Sequence, residues 1–377
     1  MERNMKSKAT RVANRKRPYK VTETSEKATG TSSNYHGHGY CPCVSHDVIP
    51  KKDASCQTEH IVGSYHRRNI NEEKKSFVTY EQLRAEVLSD HGSLLEWCKD
   101  NNLIASKRSC PDCGKDMKWQ LARDGRSDKY LWSCRRRVGG KQVSKEISIR
   151  EGSIFEDSNL TIAEVIQFIY WWCCGLTQTQ IKMQMGLNPT TTCSWHYKCR
   201  DICEYLVMEK PEKNGGPGKV VQIDESKIGK RKYNKGHLVE GQWVFGGIEE
   251  DGRGAFLVCV EERSQAVLLP IIQKWILPGT HIISDGWKAY CNLKNYGYMH
   301  SVVNHSQEWK NDEGETTNKI EGHWRQMKVH LPTHGRLKKH YPKYLGEFQY
   351  RYRYHGENLF RQFIGDISTA YPICHLI

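Results

Sequence analysis

Long apolar runs are missing from this chain. The longest, Val165 to Leu176 (VIQFIYWWCCGL), is interrupted by Gln167 and falls short of the roughly 20 residues that cross a bilayer, so a membrane span is excluded. The first thirty residues carry scattered charge and no apolar core, so no secretory leader is expected. Acid is in deficit: 43 Asp and Glu stand against 57 Lys and Arg in 377 residues, a formal charge of +14. That surplus points to a polyanionic partner. Fifteen cysteines, an odd number without a leader, do not read as a disulfide framework and are expected as reduced thiols or metal ligands inside the cell. The length predicts two or three domains.

Residues 1–78 are expected to form a disordered basic arm. The first 75 hold 15 basic and 8 acidic residues with no helical or strand periodicity, too little apolar surface to order the segment. Arg15-Lys16-Arg17 reads as an import patch, a phosphate-binding arm or a solvated tail. His36, His38, Cys41, Cys43, His46, Cys56 and His60 are metal-ligand types without a zinc spacing.

Residues 79–150 are expected to be a helix plus a zinc-ribbon-like module. Ser93 with Glu96 forms a capping-box pattern ahead of Trp97. Cys110-Pro-Asp-Cys113-Gly and Cys134 outline a ribbon whose hairpins need the metal. A second CxxC would require Cys at position 137, where Arg137 stands. The fourth zinc ligand is then Cys98, His91, a water or missing.

Residues 151–210 carry three helix signals. Thr161 with Glu164 and Thr177 with Gln180 are capping boxes, the second helix stops at Gly186, and Thr190 to Thr192 start a longer helix with Trp195, Cys199, Ile202 and Leu206 on one face. Three capped helices read as a helix-turn-helix offering Ser194, His196, Lys198 and Arg200 to a DNA major groove, or as a helical bundle joining two domains. Lys210 to Gly218 (KPEKNGGPG) has the composition of a linker. Strand-like runs then follow at Val220–Ile223, Trp243–Ile248, Ala255–Val260 and His281–Ser284, with a helical segment from Ser264 to Trp275 before the last. The pattern predicts a mixed sheet with helices packed on it.

Three carboxylates stand out. Asp224 follows the first strand in VVQIDES, Asp285 follows the fourth in HIISDGW, and Glu321 lies in TTNKIEGHWRQMK, where Ile320, Trp324, Met327 and Leu331 keep helical spacing. Each alone reads as a turn residue or an exposed helix charge. Together they form a set able to hold two divalent cations about 3.5–4 Å apart, which is what phosphoryl transfer requires.

The blocks VVQIDESKIGKRKYN, GQWVFGGIE, ISDGWKAY, VNHS and TNKIEGHWRQMK resemble the signatures of Merlin-type DDE transposases and of related bacterial insertion-sequence transposases. The resemblance runs from about Cys110 to Tyr354. It implies an RNase H-like catalytic domain over 211–355, a C-terminal extension over 356–377, and a Mg2+- or Mn2+-dependent triad of Asp224, Asp285 and Glu321. It also implies cleavage at transposon ends followed by strand transfer from the freed 3′-hydroxyl. Two departures are Arg137 in the zinc motif and Thr316-Thr317-Asn318, where the family often has His-Thr-Asn. The fold expected is therefore α/β: an RNase H-like mixed sheet flanked by helices, behind a zinc-ribbon-like module and a helix-turn-helix region.

Lys227, Lys230, Arg231 and Lys232, close after Asp224, are expected to meet DNA phosphates, with an exposed basic loop as the alternative. His323 to His355 holds eight Lys and Arg, Arg325 and Lys328 among them, against the single acid Glu347, interleaved with seven Trp, Tyr and Phe rings. That mixture suits phosphate neutralisation and stacking on unpaired bases, with some rings in the core. Asn304 and His305 are further candidates for orienting a phosphate or water. The expected partner is double-stranded DNA, transposon end and target, gripped by a homo-oligomer, in the nucleus of a eukaryote or beside a bacterial chromosome. The alternatives are a host-adopted DNA-binding protein that has lost the reaction and a cellular nuclease of the RNase H-like group.

Overall fold

A computed structural model describes residues 79–373, apart from 124, 126, 210, 230–240, 253, 304–315 and 333–336. The arm expected over 1–78, with its His/Cys cluster, lies outside the described residues, as do Lys230, Arg231, Lys232, Asn304 and His305.

The described chain opens with α1 (Tyr80–Glu86), capped by Thr79 and Gln82, and α2 (His91–Asp100). The capping residue of α2 is Asp90 rather than the expected Ser93: its carboxylate accepts the Gly92 and Ser93 amides at 2.8 and 3.0 Å. A charged acceptor at a helix N-terminus outcompetes a hydroxyl, so the helix begins earlier than the Ser-x-x-Glu pattern indicates. Strands β1 (Lys118–Leu121), β2 (Tyr130–Val138) and β3 (Lys141–Ser148) form an antiparallel meander. Its base is tied by Arg150, which bonds both oxygens of Asp128 at 2.6 Å and the carbonyls of Ser158 and Leu160.

Helices α3 (Ile162–Cys173), α4 (Gln178–Met185) and α5 (Pro189–Glu209) lie where the caps predict. Both capping boxes form, and Gly186 ends α4 with φ +65°, a conformation open to glycine. Helix α3 is apolar nearly all round, and it is correspondingly buried, with Val165, Ile166, Phe168, Ile169 and Trp172 in the core.

The segment with linker composition is bonded rather than free. β4 (Asn214–Gly215) pairs in parallel with the later β8 (Ile276–Leu277), and the Gly216 amide donates to Thr280 Oγ1 at 2.8 Å. Gly215 has φ +81°, and a Cβ there would lie 2.3 Å from the Thr280 hydroxyl, so glycine here serves a close approach rather than flexibility.

The main sheet is built from β5 (Val220–Ile228), β6 (Gln242–Glu249), β7 (Ala255–Val260), β9 (His281–Ser284) and β10 (Met299–Val302), with α6 (Gln265–Trp275) between β7 and β8. Its order is β10-β9-β5-β6-β7. β5 to β7 run antiparallel, and β9 and β10 lie parallel to β5. An antiparallel triplet extended by two parallel strands on the first-strand side is the RNase H-like arrangement, and the mixed sheet is flanked by helices as expected. On one face Val221, Ile223, Phe245 and Phe256 meet Leu268, Ile272 and Trp275 of α6. On the other, Val244, Ile248 and Leu257 meet α7 (Asn318–His330) and α8 (Tyr341–Arg353).

The last helix, α9 (Leu359–Ala370), packs on α3 and α5, with Phe363 4.8 Å from Trp172. The residues expected as an extension thus complete the upstream helical layer. Glu347 joins that layer to the main sheet. It is buried on α8 and bonded to Arg200 of α5 at 2.7 Å and to Arg351 at 2.9 Å. Burial alone would raise its pKa, but Arg351 and Arg200 hold it at about 2. Its folded pKa lies below the ordinary glutamate value, so this stabilisation is present above that value and is lost as pH falls through about 2. We expect Glu347→Gln, which leaves two guanidinium groups uncompensated, to cost about 3–5 kcal/mol in urea unfolding at neutral pH. The gap should narrow on acidification, and a loss independent of pH would contradict this account.

Candidate active site

The site begins with the pleat of β5. Gln222 and Asp224 point to the face that meets α7, and Val221 and Ile223 to the opposite core. Asp224 lies across from Gly246 of β6. A Cβ on Gly246 would stand 2.8 Å from Trp324 Cη2 and 2.6 Å from Leu257 Cδ2, so the glycine makes room for the indole. Trp324 Nε1–H then donates to Asp224 Oδ2 at 2.9 Å. Two residues back, Gln222 Oε1 accepts the Lys319 and Ile320 amides at 3.0 and 3.1 Å. Thr317, at the N-cap of α7, makes no side-chain cap bond, and the strand supplies the cap instead. The first turn of α7, with Glu321, is thereby fixed against β5.

Asp285 reaches the same place by register. Gln222 pairs with Ile283 in the parallel β5–β9 ladder, and continuing that register brings residue 285 level with 224. The Asp285 carboxylate accepts the Trp287 amide at 3.1 Å, which fixes the turn after the strand. The charges sense one another. Burial first, and then the negative charges of Asp285 and Glu321, push the Asp224 carboxyl up to about 6, against the Trp324 N–H and the Glu225 amide. Among the described residues, the three whose ligand atoms all lie within 4.8 Å of one another are Cys110, Cys113 and Cys134.

A fourth acid was not anticipated. Glu225, beside Asp224 on the opposite face of β5, accepts the Tyr290 hydroxyl and stands 3.8 Å from Arg263. Burial first, and also Asp285 and Asp224, push it up to about 7, against the Tyr290 bond and Arg263. Gln222 was likewise missed. The signals available were the adjacent acids of VVQIDES and, for Gln222, its place two residues before Asp224 on the same pleat.

The expected DNA contacts divide. Arg325 and Lys328 are exposed on α7, four and seven residues after the exposed Glu321 and so on one stripe with it. Lys227 is described, with its Nζ 5.3 Å from the Trp243 ring. Lys198 and Arg200 do not project from α5 as expected. Lys198 donates to the Ile154 carbonyl, and Arg200 is held by Glu347 and lies 4.8 Å from the Tyr344 ring. His196 is buried, and burial lowers its pKa to about 4. These residues face inward because α5 is enclosed by α3, α4, α8 and α9, while Thr190, Ser194, Tyr197 and Asp201 take the exposed side. Of the rings between 323 and 355, Trp324, Tyr341, Phe348 and Tyr350 are core.

Upstream, Cys110, Cys113 and Cys134 bring three sulfurs together. Burial opposes ionisation, but the amides of Asp112 and Cys113 hold the Cys110 thiol below its usual value. Neither fourth ligand suggested by the sequence joins them. Cys98 is packed in the core of α2, and His91 Nε2 bonds the Asp128 carbonyl at 2.7 Å.

Residues 216–353 match the family model of the ISXO2-like transposase domain. An uncharacterized transposase-like protein of Haemophilus influenzae is 30% identical over 98 residues, which span 26% of this chain and 79% of that protein. Among solved structures, a magnesium complex of the HTLV-2 integrase catalytic core domain aligns with 14% identity and a TM-score of 0.22, over 36% of this chain and 84% of that one. A simian T-cell lymphotropic virus intasome in complex with a PP2A regulatory subunit, B56 gamma, aligns at 11% and 0.26, over 53% and 74%. The strand order, not these two likenesses, carries the fold assignment.

Trp324→Phe removes a donor that favours the charged form of Asp224. The carboxyl should then titrate further above about 6, as carboxyl-carbon NMR would read; an unchanged or lower midpoint would refute the role given to the indole.

Proposed function

Because this chain belongs to the transposase family marked by the ISXO2-like domain, we propose that it is a DDE transposase of the Merlin type. It cuts DNA at the ends of a mobile element and joins the freed ends to a target. The observation that supports this reading is that Asp285, after a strand, and Glu321, on a helix, both act on the charge of Asp224 within an RNase H-like sheet. Three carboxylates are a hard oxygen donor set suited to Mg2+ or Mn2+. Burial first, and the charges of Asp285 and Glu321 after it, raise the proton affinity of Asp224, and a bound cation would offset both. When bound, a pair of divalent cations supplies activation of the attacking oxygen and charge relief on the leaving one.

The residues of the chain do the rest. Gln222 and Trp324 hold the carboxylates in place, and Arg325, Lys328 and Lys227 offer positive charge to the DNA backbone. Water attacks the phosphodiester first: a new P–O bond forms as the bond to the 3′ oxygen breaks. The released 3′-hydroxyl then attacks a phosphodiester of the target, expelling its 3′ oxygen in turn. Bringing two ends together calls for a homo-oligomer, in the nucleus of a eukaryotic host or beside a bacterial chromosome. The intact acids favour this over a host-adopted DNA-binding protein without catalysis.

The test is cleavage of the element's own terminal repeats, with Mg2+ or Mn2+ required and Asp285→Asn inactive; activity surviving in that variant would overturn the assignment. A second readout is thermal. Asp224 and Glu225 have folded pKa values above the ordinary 3.8 and 4.5, so their contribution to stability is lost as pH rises through about 6 and about 7. The rise in Tm produced by Mn2+ should therefore grow through that window, and Asp224→Asn should flatten it.

Cys110, Cys113 and Cys134 are a soft donor set suited to zinc. We expect elemental analysis to find zinc in the purified chain and Cys113→Ser to lose it together with part of the thermal stability; equal zinc in both would refute the site.

A further inference from the structure

On the face of β5 opposite α7, cations and indoles lie against one another beside the carboxylates. Lys227 of β5 pairs across the ladder with Trp243 of β6. The Arg263 guanidinium lies 4.0 Å from the centroid of the Trp243 ring and 4.6 Å from that of Trp287. Trp287 is held from three sides: its indole N–H donates to the Arg263 carbonyl at 3.1 Å, its amide to Asp285 at 3.1 Å, and the guanidinium lies over its ring. A side chain so firmly held is ordinarily core, yet Trp287 is 41% exposed. One flat guanidinium covers one face of a ring, and the remaining indole surface meets solvent two residues beyond Asp285.

We propose that Trp287 is a stacking platform for an unpaired base of the DNA strand, with Arg263, Lys227 and the exposed Lys288 facing its phosphates. The inference rests on the reading of Asp285 as an active-site residue, which puts a nucleotide within reach of the ring. An unpaired base fits for three reasons. It offers a flat π surface to a fixed ring, its phosphates find cations on the same patch, and a base within a duplex has both faces occupied by its neighbours. The order of the platform is built in before binding, so little freedom is lost when the base docks. Glu225 and Tyr290, behind Arg263, set the guanidinium in place.

The test is anisotropy of a fluorescein-labelled oligothymidylate bound to the full chain in EDTA, where strand cleavage does not interfere, beside the same backbone made abasic. Wild type should prefer the strand with bases. Trp287→Ala should weaken that strand by roughly tenfold or more while barely changing the abasic one, and Trp287→Phe should restore most of the preference. Equal weakening on both strands, or no weakening, would overturn the platform. Should Trp287→Ala fail to fold, the quenching of 2-aminopurine in a single strand gives the second measure: it should be largely kept in Trp287→Phe and fall in Trp287→Leu, and equal quenching in those two would count against stacking. Asp285→Asn in the same binding assay should keep the base preference. Cleavage persisting in that variant would sink the catalytic reading alone, whereas loss of preference confined to Trp287 substitutions speaks to the platform alone.

Discussion

The half of the molecule built on the main sheet depends on one grip, that of β5 on α7. Gln222 takes two amides at the start of the helix, and Asp224 takes the indole N–H one turn later. Between them they fix the rotation and the height of α7, and with it the place of Glu321. The grip is possible because Gly246 leaves the volume that the Trp324 ring fills. A carboxylate that is both candidate ligand and structural acceptor is stabilised as an anion by the hydrogen bond and disfavoured as one by burial and its acidic neighbours. Its raised pKa is the balance of the two.

The opposite faces of the same strand divide the work. The face carrying Asp224 sees α7 and its exposed basic stripe. The face carrying Glu225 sees Tyr290, Arg263 and the indoles. Alternation along a single strand thus brings two chemically different environments to within one residue of each other, one acidic and ion-seeking, the other cationic and aromatic.

The sequence made the strands and helices of this architecture legible wherever local chemistry decides them. Capping boxes at Thr161 and Thr177, the stop at Gly186, and the apolar runs that became β5, β6, β7 and β9 are all short-range signals. Asp285 does follow its strand as the pattern predicts, whereas Asp224, expected just past Ile223, lies within β5, because the ladder with β6 continues to Ile228. What was not legible depends on partners far along the chain. The inward turn of Arg200 follows from Glu347, 147 residues away, that of Lys198 from the Ile154 carbonyl, and the ordering of the expected linker from Thr280. Gln222 looked like an ordinary strand polar residue until the helix it caps arrived. At Ser93 the error was local: a carboxylate three positions earlier held the better claim to the helix end.

The Glu347 junction has a geometric corollary. A charged knot in the protein interior, shared by α5, α7 and α8, together with a bonded 214–216 segment, welds the upstream helices to the main sheet. The exposed side of α5, with Thr190, Ser194, Tyr197 and Asp201, is therefore held at a set span from the three acids. The measuring stick is the polypeptide itself: α5 cannot slide along its axis without dragging Glu347 and α8 with it, much as a jig holds its work.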